Sequence, residues 1–182
     1  MPERFLGIDT SNYRTSAAVY DAETGAWKNE GGLLTVPDGA IGLRQSDALF
    51  QHTVHLHEKI EALPQGGVRA IGVSTRPRAV EGSYMPCFLA GVAVAKSLAA
   101  ALGVPCHEVS HQQGHVAAAL WSAGRMDLMD RPHLPWHIAG GTTELLSTPH
   151  QGQNVCAEAI GGTSSVAAGP RQNRPAHLTP PP

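Results

Sequence analysis

Phe5-Leu6-Gly7-Ile8-Asp9-Thr10-Ser11-Asn12-Tyr13-Arg14-Thr15-Ser16-Ala17-Ala18-Val19-Tyr20-Asp21 opens the chain with two apolar runs around a polar turn. Residues 5–10 read as a buried strand and 15–21 as a second, with Ser11-Asn12-Tyr13-Arg14 turning the chain between them. The rest alternates short apolar runs with helical periods. A strand falls between Trp27 and Val36. Residues 46–63 form a helix on Leu49, Val54, Leu56, Ile60 and Leu63, stopped by Pro64 and Gly66-Gly67. Residues 70–75 form the next strand. Ser83 caps a helix whose first turn tolerates Pro86 and whose stripe runs Phe88, Val92, Ala95, Ala99 and Leu102, ended by Gly103 and Pro105. A short strand at 106–110 leads into a helix at 111–121. The order β-β-β-α-β-α-β-α is that of an α/β domain. An irregular linker rich in proline and charge follows over 125–135, and a hairpin, residues 136–139 and 144–148, begins a second lobe.

Composition bounds the function. The 182 residues, 42% hydrophobic and 15% charged, suffice for one compact domain or one domain and part of another. A net charge of −2 gives no global electrostatic reason to expect nucleic acid or an anionic membrane, so any RNA contact is local or supplied by a partner. Cys87, Cys106 and Cys156 are odd in number and widely spaced, which indicates neither a disulfide framework nor a zinc ribbon and suits a reducing cytoplasm. The N-terminus enters a strand at once, without the features of a secretory signal. The longest apolar region, 84–106, carries Lys96 and Pro86 and reads as a buried helix rather than a membrane span.

The chemistry concentrates at Ser110-His111-Gln112-Gln113-Gly114-His115. Two imidazoles at i and i+4 share one helix face and can converge on a borderline cation such as zinc or iron. Spacing alone is weak: ten histidines in this length give about half of one such pair by chance. Three arise, but His107/His111 straddles a strand-to-helix junction and His133/His137 contains Pro135, leaving His111/His115. A solvated histidine pair is the plain alternative. His52, His55 and His57 do not share a face and read as an exposed surface without a role. Ala139-Gly140-Gly141-Thr142 ends a strand in a turn able to aim backbone N–H groups at phosphate, although adjacent glycines also make ordinary hairpin turns. Asp9-Thr10-Ser11 offers a carboxylate and two hydroxyls at a strand end, a set that binds a hydrated cation and phosphate and that also occurs in turns for local reasons.

Residues 5–11, 70–75 and 91–102, His111-Gln112-Gln113-Gly114-His115 and Gly140-Gly141-Thr142 resemble, in order, the tRNA threonylcarbamoyladenosine transferase family, formerly described as O-sialoglycoprotein endopeptidase. The resemblance covers nearly the whole chain to about Gly169. It implies an actin-like ATPase fold of two ribonuclease-H-like lobes. Residues 1–124 would be a complete first lobe, 125–135 a linker, 136–169 the start of a truncated second lobe and 170–182 a disordered tail. The Pro/Arg-rich tail suggests a coding frame lost near Gly169. The resemblance further implies metal-assisted transfer of a threonylcarbamoyl group from its adenylate to the exocyclic amine of an adenosine beside a tRNA anticodon. One divalent iron or zinc ion would sit at His111 and His115. Asp9, Thr10, Ser11 and Ala139 to Thr142 would position adenylate or ATP. The implied partners are tRNA, through a complex, and other proteins of the pathway, including a dimerising paralogue, with no membrane.

Departures from the family pattern mark a divergent paralogue. Ser11-Asn12-Tyr13-Arg14-Thr15 stands where the family commonly has SCDET, and Thr142 where it has histidine. Arg76-Pro77-Arg78 replaces a GPG turn with two guanidinium groups suited to phosphate or RNA, or to solvent. Ser165 and Val166 occupy the place of paired aspartates, and the family's third metal ligand belongs to a segment this chain lacks. A non-catalytic, partner-binding paralogue is therefore the second reading. A metallopeptidase ranks last: there is no HExxH, and Gln112 and Gln113 cannot serve as general base.

Overall fold

The computed structural model describes residues 2–139, 142–147 and 158–164. The chain divides into two units, 1–111 and 112–182.

The first unit is built on β1 (Arg4–Asp9), β2 (Arg14–Asp21), β3 (Trp27–Leu33), β4 (Val68–Arg76) and β5 (Cys106–Ser110), with α1 (Gln45–Glu61) and α2 (Phe88–Leu102). The sheet order is β3-β2-β1-β4-β5. The opening run forms the expected hairpin, Ile8 facing Ala17 and Asp9 facing Ser16. Asn12 enables its turn by adopting a left-handed backbone, φ 45°, which asparagine tolerates better than most side chains. β1, β4 and β5 then run parallel, each connection carrying a helix. Period-two alternation puts Leu6, Ile8, Ala17, Val19, Ile71 and Val73 on one face, where Leu56 and Leu63 from the α1 region and Ala95 and Ala99 of α2 cover them.

α2 begins four residues after the point where an N-cap at Ser83 would start it: its N-cap position is Cys87, and the Ser83 hydroxyl instead accepts the Arg78 N–H at 3.0 Å. Leu102, the last residue of the expected stripe, is exposed, because the apolar face of α2 ends at Ala99 and Gly103 turns the chain away at φ 66°. Gly91 lets α2 approach β1: a Cβ there would lie 2.9 Å from Thr10 Oγ1 and 3.3 Å from Ile8 Cγ2. Gly91→Ala is expected to destabilise the chain by about 1–3 kcal/mol, read as a lower urea midpoint, because both neighbours are buried and cannot yield. An unchanged midpoint would mean that the helix shifts freely.

The second unit contains most of α3 (His111–Ser122), a 3-10 turn (Met126–Asp130), and β6 (Trp136–Ala139), β7 (Thr142–Ser147) and β8 (Glu158–Ser164) in an antiparallel sheet of order β6-β7-β8. The 3-10 turn lies inside the stretch expected to be wholly irregular. Val116 and Leu120 of α3 pack with Leu146 of β7, flanked by Leu128 and Met129, within the second unit. β8 was not anticipated, since Gly161-Gly162 at its centre erases any strand period. The expected tail at 170–182 lies outside the described residues.

Candidate functional site

Parallel strands end on one side of a sheet, and in open α/β sheets that carboxyl edge is where ligands bind. Here it gathers Asp9, the last residue of β1, Ser74 of β4, Arg76 at the end of β4, and His111, which follows β5 directly. The Asp9 carboxylate accepts the Ser74 hydroxyl at 2.6 Å and meets His111 Nδ1 at 2.8 Å through Oδ2, while Oδ1 accepts the Ser11 N–H at 2.8 Å. Burial by itself would raise this carboxyl, but His111, Ser11 and Ser74 together outweigh it and hold Asp9 well below the usual carboxylate range. It is therefore a fixed anion. An Nδ1–H donated to that anion leaves the neutral ring with its lone pair on Nε2, the arrangement by which metal-binding imidazoles are oriented. The Phe88 ring stands edge-on to His111, their centroids 6.4 Å apart.

Of the other expected residues, Thr10 is fully buried, its hydroxyl donating to the Cys87 carbonyl at 3.0 Å and accepting the Gly91 N–H at 3.2 Å. Its polar capacity ties α2 to β1. Arg76 is exposed at the site edge, and Arg78 is held through its backbone by Ser83. His115 belongs to the second unit, where its Nδ1 lies 3.3 Å from His137 Nε2. Ala139 and Thr142 are register partners across β6 and β7; Gly140 and Gly141 lie outside the described residues. Among the described residues no group of three or more His, Cys, Asp or Glu side chains is placed to hold a metal ion, and no helix is long and apolar enough to cross a membrane.

The structure also overturns the reading of His52. His52, expected on an exposed surface, is fully buried, with Nδ1 2.8 Å from the equally buried Thr15 hydroxyl. The signal was present: Ala48, His52 and Leu56 share a helical spacing, and Thr15 continues the inward alternation of Ala17 and Val19. Burial lowers the His52 pKa below its ordinary 6.5. Below that pH the unfolded chain binds a proton the folded chain resists, so stability falls with acidification. The urea midpoint should drop between about pH 7.5 and pH 5.5, and the drop should shrink in His52→Gln; equal pH dependence in both proteins would show that another group is responsible.

The family model for tRNA N6-adenosine threonylcarbamoyltransferase matches residues 62–181. The chain belongs to this family. Its match to the tRNA N6-adenosine threonylcarbamoyltransferase of Corynebacterium diphtheriae is 30% identical over 189 aligned positions and covers 95% of the chain but 49% of that relative. The chain thus spans about half the length of the curated family member. Among solved structures, YeaZ from Pseudomonas aeruginosa superposes with a TM-score of 0.51 at 16% identity, covering 90% of this chain and 67% of that one. A second, described as an uncharacterized protein similar to peptidase YEAZ from the same organism, gives 0.54 at 14% identity, covering 94% and 71%. These likenesses bear on fold, and the fold is the actin-like ATPase type expected from the sequence.

Proposed function

We propose that this family member acts in threonylcarbamoyl transfer to tRNA: the exocyclic amine of an adenosine beside the anticodon forms a bond to the carbonyl carbon of threonylcarbamoyl adenylate and gives up one proton to solvent, the bond from that carbon to the phosphate oxygen breaks, and AMP leaves. The observation that carries the reading is the Asp9–His111 pair at the carboxyl edge of the sheet. A divalent zinc or iron ion fits the donor chemistry of His111 and His115 on α3, since Asp9 sets the tautomer of the first ring. Such an ion would polarise the carbonyl under attack. Ser11 and Asp9 hold the β1 turn in a fixed shape beside the edge, and Arg76 and Arg78 offer guanidinium groups to phosphate. In Ala139-Gly140-Gly141-Thr142 the two glycines carry no side chain, a composition suited to binding adenylate through backbone N–H groups. Partner proteins of the pathway would present the tRNA, in keeping with a chain whose net charge is −2.

The test is nucleoside mass spectrometry of tRNA incubated with threonylcarbamoyl adenylate, the partner proteins and this chain. The reading expects modified adenosine that depends on the chain and falls at least about a hundredfold in His111→Ala. The chain's span, 49% of its relative, favours one second reading, a non-catalytic paralogue that binds the same partners. A soluble complex with those partners and no chain-dependent product would select it.

A further inference from the structure

Between β4 and α2 the chain crosses the carboxyl edge in a loop, residues 77–87, that holds its own shape. Val80 to Ser83 form a turn closed by the Ser83 N–H on the Val80 carbonyl at 3.3 Å, with Gly82 at φ 73° in the left-handed third position of a type II turn. The Arg78 N–H on the Ser83 hydroxyl, 3.0 Å, ties the base of the loop to that turn. Met85 packs against the cluster of Leu34, Ala48, Cys87 and Phe88, and its carbonyl accepts the Phe88 N–H at 3.3 Å. Tyr84 therefore lies between two anchored residues, yet 63% of it is open to solvent. A large aromatic ring exposed on a fixed backbone is a platform, since only its two side-chain torsions need ordering when a flat ligand stacks on it. Arg76, at the start of the same crossing, is exposed. Phe88, four residues after Tyr84 and so at most about 14 Å of chain away, has its ring edge-on to His111 beside Asp9. Ring, guanidinium and the Asp9–His111 pair thus share one edge of the sheet in the first unit.

We propose that Tyr84 stacks an unpaired RNA base while Arg76 meets a phosphate of the same strand, which makes the 77–87 loop the reader of single-stranded nucleotides flanking the reacting adenosine. Exposed aromatic rings beside guanidinium groups hold unpaired nucleotides because every base has a π-face and each nucleotide carries a phosphate. A base within a duplex is stacked on its neighbours and offers no face to the ring. Glu81 is exposed in the turn itself and repels a phosphate there, which leaves the RNA backbone to the Arg76 end of the loop. The inference deepens the transferase reading by naming the nucleotides beside the target, and it rests on that reading only in placing the reacting adenosine at the Asp9–His111 edge.

The test is fluorescence anisotropy of the full chain with a labelled single-stranded heptaribonucleotide carrying a central adenosine, and with a blunt RNA duplex of the same strand. Wild type is compared with Tyr84→Phe, Tyr84→Ala, Arg76→Gln and Trp27→Ala, the last an exposed aromatic at the start of β3 and outside the loop. Each variant is first checked for unchanged circular dichroism. The single strand is expected to bind more tightly than the duplex. Tyr84→Ala should weaken its binding about tenfold, Tyr84→Phe by less than about twofold, and Trp27→Ala not at all. Arg76→Gln should weaken binding and reduce the slope of log affinity against log salt by about 0.7, one phosphate contact on a single strand. Wild-type affinity in folded Tyr84→Ala, equal losses in Tyr84→Ala and Trp27→Ala, a duplex bound as tightly as the single strand, or wild type that binds neither RNA overturns the proposal. Tyr84→Ala that keeps RNA affinity but loses the complex with the pathway's partner proteins assigns the loop to protein docking instead. Tyr84-dependent RNA binding without chain-dependent modified adenosine leaves this inference standing and the transferase reading fallen. Modified adenosine formed at the wild-type rate by Tyr84→Ala does the reverse.

Discussion

Replacing Phe88 with alanine is expected to destabilise the chain by about 3–5 kcal/mol, the range for removing a fully buried aromatic side chain. Among the described residues Phe88 is the largest fully buried side chain, and it joins Leu34, Ala48 and Cys87 in an apolar cluster separate from the core under the central sheet. That cluster is small, so few neighbours can collapse into the space the ring leaves. Phe88→Leu keeps most of the volume and is expected to cost under about 1.5 kcal/mol. Urea unfolding followed by circular dichroism reads both. The Phe88 ring is also edge-on to His111, so Phe88→Ala removes that aromatic contact from the imidazole beside Asp9. Equal midpoints for Phe88→Ala and Phe88→Leu would show that the ring packs less tightly than its burial indicates.

Asp9→Asn is expected to lower zinc affinity by about ten- to a hundredfold, the usual effect of removing a carboxylate behind a ligating histidine. The amide preserves the size of the side chain but not the charge, and its NH2 group sets a donor against the Ser11 N–H in one orientation or against His111 Nδ1–H and the Ser74 hydroxyl in the other. Asp9→Ala adds a stability loss of about 1–3 kcal/mol by removing the carboxylate to which the buried Ser74 hydroxyl donates. The sequence Asp9-Thr10-Ser11 thus divides by role: Asp9 orients His111, Ser11 pins the carboxylate through its backbone, and Thr10 ties the helix to the strand. Chelator competition on both variants, with Ser74→Ala as a milder comparison, measures the effect. Zinc affinity unchanged in Asp9→Asn would remove Asp9 from the site.

Much of this was legible in the sequence because the signals were local. The alternation of Leu6 with Ile8 and of Ala17 with Val19, the turn chemistry of Asn12, and the Gly103 stop each specify a nearby backbone state. Asp9 and His111 were each singled out, but their pairing needs β1 and β5 to flank β4, a fact set by parallel pairing across a hundred residues and invisible to any short window. His52 was misread because it was grouped with His55 and His57, which do not share a face, rather than with Ala48 and Leu56, whose spacing places it inward. Ser83 was misread as a cap because its hydroxyl is a cap by type, whereas here the Arg78 N–H takes it. The pairing of His115 with His137 crosses Pro135 and a chain reversal, so spacing arguments, which compared His137 only with His133, passed over it.

The most direct measurement is the metal content of the purified full chain by mass spectrometry, beside the His111→Ala/His115→Ala double variant. The account predicts near-stoichiometric zinc or iron in wild type and its loss in the folded double variant. Folded wild-type protein without metal, or a double variant that retains it, would contradict a metal site built on α3.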